Sequence, residues 1–230
     1  MTNRRIAPLA AAVLWLITLQ AAGPQRNSPV PLSLVLLLDV SASVDFRQLE
    51  LPRDVSREIE GDLLSRLTPA DRIGIGVFGA TMKFSGFLPD DRGMQNSAIR
   101  TALKDRSVGL NGPSRIWDAV DGGISAVENA PGRRAVIVLT DGYASGNRLG
   151  LADVIRHARA AKVSVSVIAN GPWVVWPGPP AAPQPRSALE RLTAGTDGML
   201  VLDNVGDSFR ARHPGRFFEA ILASLRRPAG

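Results

Sequence analysis

Three polar residues stand at alternate positions directly after the apolar segment 32–38. They are Asp39, Ser41 and Ser43, and side chains spaced by two project to the same side of an extended backbone. Two other loops carry comparable groups: Ser114 precedes a predicted helix, and Asp141 follows a predicted strand within the sequence Thr-Asp-Gly. Carboxylate and hydroxyl oxygens without sulfur or an obvious imidazole favour Mg²⁺, with Mn²⁺ or Ca²⁺ as alternatives, over zinc or copper.

The apolar segments predict a sheet that would bring these groups together. The run 32–38 is nearly continuous in apolar residues, which is typical of a strand buried on both faces. Further strands are predicted at 72–78, 82–88, 135–139, 163–168 and 199–202. Helices are predicted at 46–66, 95–104, 116–128, 151–161, 187–194 and 216–225. This alternation implies a doubly wound α/β fold with a mostly parallel central sheet, the 82–88 strand at an antiparallel edge, and helices on both faces.

The polar groups and their places along the chain resemble the von Willebrand factor A-type (VWA, integrin I-like) domain, as found in bacterial secreted VWA-related proteins. The metal-ion-dependent adhesion site (MIDAS) of that family is Asp-x-Ser-x-Ser with a Thr and an Asp from two further loops. The matching residues here are Asp39, Ser41, Ser43, Ser114 and Asp141. The resemblance covers about 32–225 and implies a Rossmann-like fold. Ser114 stands where the family usually has Thr, so it keeps the oxygen but lacks the methyl group that restricts the rotamer.

The resemblance implies that the metal is used to bind a protein partner and not to catalyse a reaction. The three hydroxyls would contact the metal, while Asp39 and Asp141 would act directly or through water. Two carboxylates at most offset a charge of 2+, so the ion can accept an Asp or Glu oxygen of a partner as its sixth ligand. The sequence therefore predicts a metal-dependent protein-binding domain that is not an enzyme.

Two alternatives stay open beside this prediction. The Pro-rich segment 172–185, with Trp173 and Trp176, follows a predicted strand and should emerge at the same edge of the sheet. A structural VWA scaffold could bind its partner through this loop without metal, although such an insertion usually packs on its own domain. A Mg²⁺-dependent phosphoryl-transfer or hydrolytic enzyme is disfavoured, because the chain has no phosphate loop, no Gly-x-Ser-x-Gly elbow and no nucleophile with an evident base. A Gly-x-Gly-x-x-Gly pattern at 74–79 lies inside a predicted strand, which argues against a dinucleotide cofactor.

Length and composition indicate one exported domain. A chain of 230 residues with 45% hydrophobic residues can bury one full core, assigned to 32–227. Residues 1–23 have the order of a signal peptide: a pair of arginines, an apolar run and small residues. An uncleaved anchor there is the one membrane attachment expected, and 24–31 is a spacer. The protein should therefore be periplasmic, extracellular or associated with the cell envelope, and its lack of cysteine excludes disulfides.

The positive charge of the chain does not indicate nucleic-acid binding. Lys and Arg total 27 against 21 Asp and Glu, giving a net charge of +6. These basic residues are scattered, with no run longer than two and few aromatic residues among them. A nucleic-acid site would concentrate them on a stripe or patch.

Overall fold

The computed structural model describes residues 30–41, 56, 59–105, 107–108, 112–170, 185–203 and 215–227. The strands within these residues are β1 Leu32–Asp39, β2 Arg72–Phe78, β3 Met82–Phe87, β4 Arg133–Thr140, β5 Val163–Asn170 and β6 Leu200–Asp203. The α-helices are α1 Arg92–Lys104, α2 Ile116–Val127, α3 Leu151–Ala161, α4 Pro185–Gly195 and α5 Gly215–Leu225. The strands form one sheet in the order β3-β2-β1-β4-β5-β6, and every neighbouring pair is parallel except β2 and β3. The predicted doubly wound sheet with one antiparallel edge strand is confirmed.

Strand β1 lies at the centre of the sheet, and all eight of its residues are buried. Leu34 and Leu36 pack in a cluster that includes α1 and α5, whereas Val35 and Leu37 pack in the cluster of α2, α3 and α4. Successive side chains therefore enter opposite cores, which explains why the strand reads as an unbroken apolar run. Each large side chain buried in this way stabilises the fold by about 1.5–3 kcal/mol.

The two ends of the sheet differ from its centre. β3 pairs antiparallel with β2, with a register shift between Gly74 and Gly76, and β6 has only four residues. The structure confirms that the Gly-x-Gly pattern lies within a strand. A Cβ atom at Gly76 would come 2.6 Å from the Cδ2 atom of Leu37, and one at Gly74 would come 2.6 Å from the ring of Phe84. These glycines therefore serve close packing.

The first predicted helix differs from the observed backbone. From residue 59 onwards it is a π-helical turn at Ile59–Leu63, followed by a 3-10 turn at Leu64–Arg66. Ile59, Leu63 and Leu64 are all buried, and these spacings of four and five residues suit the wider π turn better than a regular α-helix. Residues 46–55, 57 and 58 of this prediction lie outside the described residues.

The other predicted elements are confirmed, with ends that shift by a few residues. Helix α1 begins at Arg92 and not at Gln95, because the Asp91 side chain caps it and accepts a hydrogen bond from the Met94 N–H at 2.9 Å. Asp91 is therefore a helix cap. Its neighbour Asp90 is exposed.

Several predicted features lie outside the described residues. They are the N-terminal segment 1–23, residues 24–29 of the spacer, Ser43, and the Pro/Trp loop as far as residue 184. Within the described ranges, the helices are too short or too polar for any of them to cross a bilayer.

His157 on α3 links that helix to α2. Its Nδ1 atom lies 2.7 Å from Asp121 Oδ1, and its Nε2 atom lies 3.1 Å from Glu128 Oε2. The hydrogen bond with Asp121, and after it the bond with Glu128, raise the pKa of the imidazole. A protonated ring can donate to both carboxylates, whereas a neutral ring has a single N–H. The contact between the two helices is therefore strongest when His157 is charged.

Replacing His157 by Gln should remove a pH-dependent part of the stability. Because the pKa is raised in the folded state, this part is fully present below the unfolded value of about 6.5 and is lost as the pH rises through the folded value. The imidazole is 29% exposed, so we expect a contribution of about 1 kcal/mol. Urea denaturation from about pH 5 to about pH 9 should show the wild type losing its advantage over the variant. Parallel curves for the two proteins would contradict this role.

Candidate metal centre

Two buried carboxylates lie at the carboxyl edge of the sheet, where β1 and β4 end. Asp39 is the last residue of β1 and is 0% exposed, and Asp141 directly follows β4 and is 4% exposed. β1 and β4 are parallel neighbours with Leu38 opposite Leu139, which brings the two carboxylates to the same edge. The strand order also reverses here, since β2 lies on one side of β1 and β4 on the other. Doubly wound folds bind their ligands at this position.

Hydroxyl groups surround the carboxylate of Asp39. Its Oδ2 atom accepts hydrogen bonds from Ser114 Oγ at 2.9 Å and from Thr140 Oγ1 at 2.6 Å. Its Oδ1 atom accepts from the Ser41 N–H at 3.0 Å, and the Ser41 hydroxyl also bonds this carboxylate. The structure therefore brings together four of the predicted site residues, Asp39, Ser41, Ser114 and Asp141. Ser43 lies outside the described residues.

The surroundings of Asp39 disfavour its negative charge unless a cation neutralises it. Burial is the main cause that raises the pKa of Asp39, and the nearby charge of Asp141 raises it further. The hydrogen bonds from Ser41 and Thr140 act in the opposite direction but are outweighed. A bound cation would remove this penalty, because buried charges are stable only when they are paired.

Asp141 provides the test of whether the site suits a metal ion. Its Oδ1 atom accepts a hydrogen bond from the Tyr143 N–H at 3.0 Å, but its Oδ2 atom is buried and has no donor within the described part of the chain. A buried acceptor without a partner costs about 1–3 kcal/mol, and more when it is charged. No group of three or more imidazole, thiol or carboxylate side chains in that part could hold a metal. Two carboxylates with neighbouring hydroxyls remain as the donor set, and these hard oxygens fit Mg²⁺.

Two residues that position the site were not among the predicted ligands. Thr140 donates to Asp39 and also accepts a hydrogen bond from the Gly142 N–H at 3.0 Å. Ser145 Oγ accepts from the Ser114 N–H at 3.1 Å, and the Ser145 N–H donates to the Ser114 carbonyl at 2.7 Å. The position of Thr140 directly after the predicted strand 135–139 was a usable signal. The spacing of Ser145 gave none, because its role depends on how two loops meet.

Comparisons with known proteins agree with the observed fold. The family model of the von Willebrand factor type A domain matches residues 33–203. A similar solved structure is that of an aerotolerance-related membrane protein from Bacteroides fragilis, with 15% identity, a TM-score of 0.61, and coverage of 84% of this chain and 98% of that one. The pilus adhesin SpaC from Lactobacillus rhamnosus GG has 15% identity and a TM-score of 0.62, over 87% of this chain and 31% of that one.

A third similar structure carries a metal. It is proximal thread matrix protein 1 from the mussel byssus with a zinc-occupied MIDAS motif, at 16% identity and a TM-score of 0.61, over 85% of this chain and 46% of that one. At such identities these structures show the shared fold alone. No curated protein sequence matches the chain. Because the family model covers most of the sequence, the chain belongs to the von Willebrand factor type A family, whose domains are generally interaction modules and not enzymes.

Proposed function

We propose that the chain is a metal-dependent protein-binding domain. Asp39, Ser41, Ser114 and Asp141 would hold a divalent cation, Mg²⁺ by the nature of the donors, and Ser43 is the fifth predicted residue. The observation that carries the proposal is the pair of buried carboxylates, in which Asp141 Oδ2 lacks a donor among the described residues. When bound, the cation supplies a ligand position for an Asp or Glu side chain of a protein partner.

The surrounding residues hold this site in place before any partner arrives. Ser114 and Thr140 orient the Asp39 carboxylate, and Ser145 fixes the Ser114 backbone from both sides. Side chains held in this way need little rearrangement on binding, which favours affinity. Tyr143, two residues after Asp141, is 50% exposed and offers the aromatic contact area that is common in protein interfaces.

The comparisons support the type of function and its location. One structure with this fold has zinc in its MIDAS motif, and others are a pilus adhesin and an aerotolerance-related membrane protein. We propose that this chain also acts outside the cytoplasm, in the periplasm, at the cell envelope or extracellularly. Residues 1–23 would serve as its signal or anchor, and 32–227 would form the binding domain.

Calorimetry tests the metal directly. Titration of Mg²⁺ into the protein should give a one-site binding heat that is lost in Asp141→Ala, because this variant removes the buried Oδ2 atom that lacks a donor among the described residues. Asp90→Ala is the matched control, since it removes an exposed carboxylate and should leave the heat unchanged. Equal silence in all three proteins would contradict the metal site and favour a scaffold that binds through the Pro/Trp loop.

The Asp141→Ala variant also distinguishes a binding function from an enzymatic one. Steady phosphatase or peptidase turnover that disappears in Asp141→Ala would overturn the binding proposal in favour of a Mg²⁺-dependent enzyme. If binding is the function, capture from an envelope extract should retain a protein in Mg²⁺ and lose it both in chelator and with Asp39→Ala.

A further inference from the structure

A cavity of about 230 Å³ lies at the same edge of the sheet as the metal centre. Arg115 lines it and directly follows the site residue Ser114, and its N–H donates to the Gly79 carbonyl at 3.2 Å. Thr81, from the connection between β2 and β3, and Arg148, from the loop after β4, line other parts of the wall. The cavity is therefore built from the same loops that position the metal centre.

The cavity has an excess of positive charge. Among the described residues, neither Arg115 nor Arg148 forms an ion pair, and the Nε–H of Arg115 is buried without an acceptor. The one carboxylate in the lining, Asp118, already accepts the Arg148 N–H at 3.0 and 3.2 Å and the Leu149 N–H at 3.0 Å. Two guanidinium groups thus share the cavity without a carboxylate partner of their own.

Several arginines elsewhere in this fold are paired with carboxylates, as Arg115 and Arg148 are not within the described ranges. Arg100 bonds Glu60 through two nitrogens at 2.9 Å, and Arg226 bonds Asp71 at 2.7 Å. A guanidinium group without a carboxylate is less favourable than a paired one, so a ligand that brings a carboxylate to the cavity would improve the pairing of Arg115.

The loop that carries Arg148 is fixed on α2. Its backbone is tied by Asp118, and the Asn147 side chain accepts a hydrogen bond from the Trp117 N–H at 2.8 Å. The walls of the cavity are therefore set by the fold.

We infer that this cavity receives a second carboxylate of the acidic partner. The inference rests on the proposed function: one acidic side chain of the partner would meet the metal centre, and another would lie between Arg115 and Arg148. Guanidinium groups bind carboxylates through paired, charge-assisted hydrogen bonds, which makes them selective for such a partner. A protein segment is favoured over nucleic acid, because the remaining basic residues are scattered along the chain.

A hexaglutamate peptide is a suitable probe, titrated by calorimetry in the presence of Mg²⁺. Arg115→Gln and Arg148→Gln should each weaken its binding about 10-fold, which is the usual loss for one hydrogen bond to a charged group. Arg72→Gln is the matched control, because it removes an exposed arginine at the start of β2, the opposite edge of the sheet, and should have little effect. The Mg²⁺ binding heat should be unchanged in all three variants, which also shows that they are folded.

The possible results of this titration test the cavity and the metal centre separately. Unchanged peptide affinity in the Arg115 and Arg148 variants would overturn the cavity assignment, whether or not Mg²⁺ binds. A loss of affinity in these variants without any Mg²⁺ heat in the wild type would support the cavity and contradict the metal site. An equal loss in Arg72→Gln, or tighter binding of a short oligothymidylate than of hexaglutamate, would overturn the assignment of an acidic protein partner.

Discussion

Replacing Asp39 by Asn is expected to abolish the stabilisation of the fold by Mg²⁺. A ligand that binds only the folded state raises the free energy of unfolding by about 2.7 kcal/mol at one hundred times its dissociation constant. The variant loses the charge that would hold the cation while keeping the shape of the side chain. Urea denaturation in saturating Mg²⁺ and in chelator measures the difference for each protein.

The same variant should be no less stable than the wild type in chelator. Burial raises the pKa of Asp39, which means that the folded state disfavours its charged form. A neutral amide avoids this penalty and also removes the repulsion from Asp141. Asp90→Asn, an exposed change of the same charge, should keep the full Mg²⁺ response. A Mg²⁺ response that persists in Asp39→Asn would rule out this residue as a ligand.

Replacing Asp71 by Ala should cause a large loss of stability. The Asp71 carboxylate is 1% exposed and accepts the Leu32 N–H at 2.7 Å, the Thr68 N–H at 2.7 Å and the Arg226 guanidinium at 2.7 Å. It therefore joins the start of β1, the turn before β2 and the end of α5. Removing one partner of a buried ion pair leaves the other uncompensated and costs about 3–5 kcal/mol. Chemical denaturation at neutral pH measures this loss.

Two further variants show how much of the lost stability comes from the hydrogen bonds of Asp71 and how much from its ion pair. Asp71→Asn keeps an acceptor for the Leu32 N–H but removes the charge opposite Arg226, so it should lose less than Asp71→Ala. A double-mutant cycle with Arg226→Gln then isolates the ion pair. Because Asp71 lies at the amino edge of the sheet, Mg²⁺ binding should be retained. A loss below about 1 kcal/mol in Asp71→Ala would show that water replaces these bonds.

The sequence best predicts those features in which the positions of side chains repeat with the period of a strand or helix. The extent of β1 could be predicted because its residues alternate between two cores. The convergence of Asp39, Ser114 and Asp141 could also be predicted, because each lies next to a strand or helix that has an end at the carboxyl edge of the sheet. The network of Asp71 and the charged cavity at Arg115 could not be predicted. Both depend on contacts between loops and helix ends that are far apart in the chain, and no local pattern encodes them.

The irregular edge strands of the sheet affect whether copies of the protein can associate with one another. An open sheet edge can add a strand from another molecule, and this is a common route to aggregation. Here β3 is interrupted by the register shift and carries Lys83, which is paired with Asp105, while β6 offers only four residues. Sheet extension through β3 or β6 is therefore disfavoured, so that copies of the chain would remain separate even at high concentration.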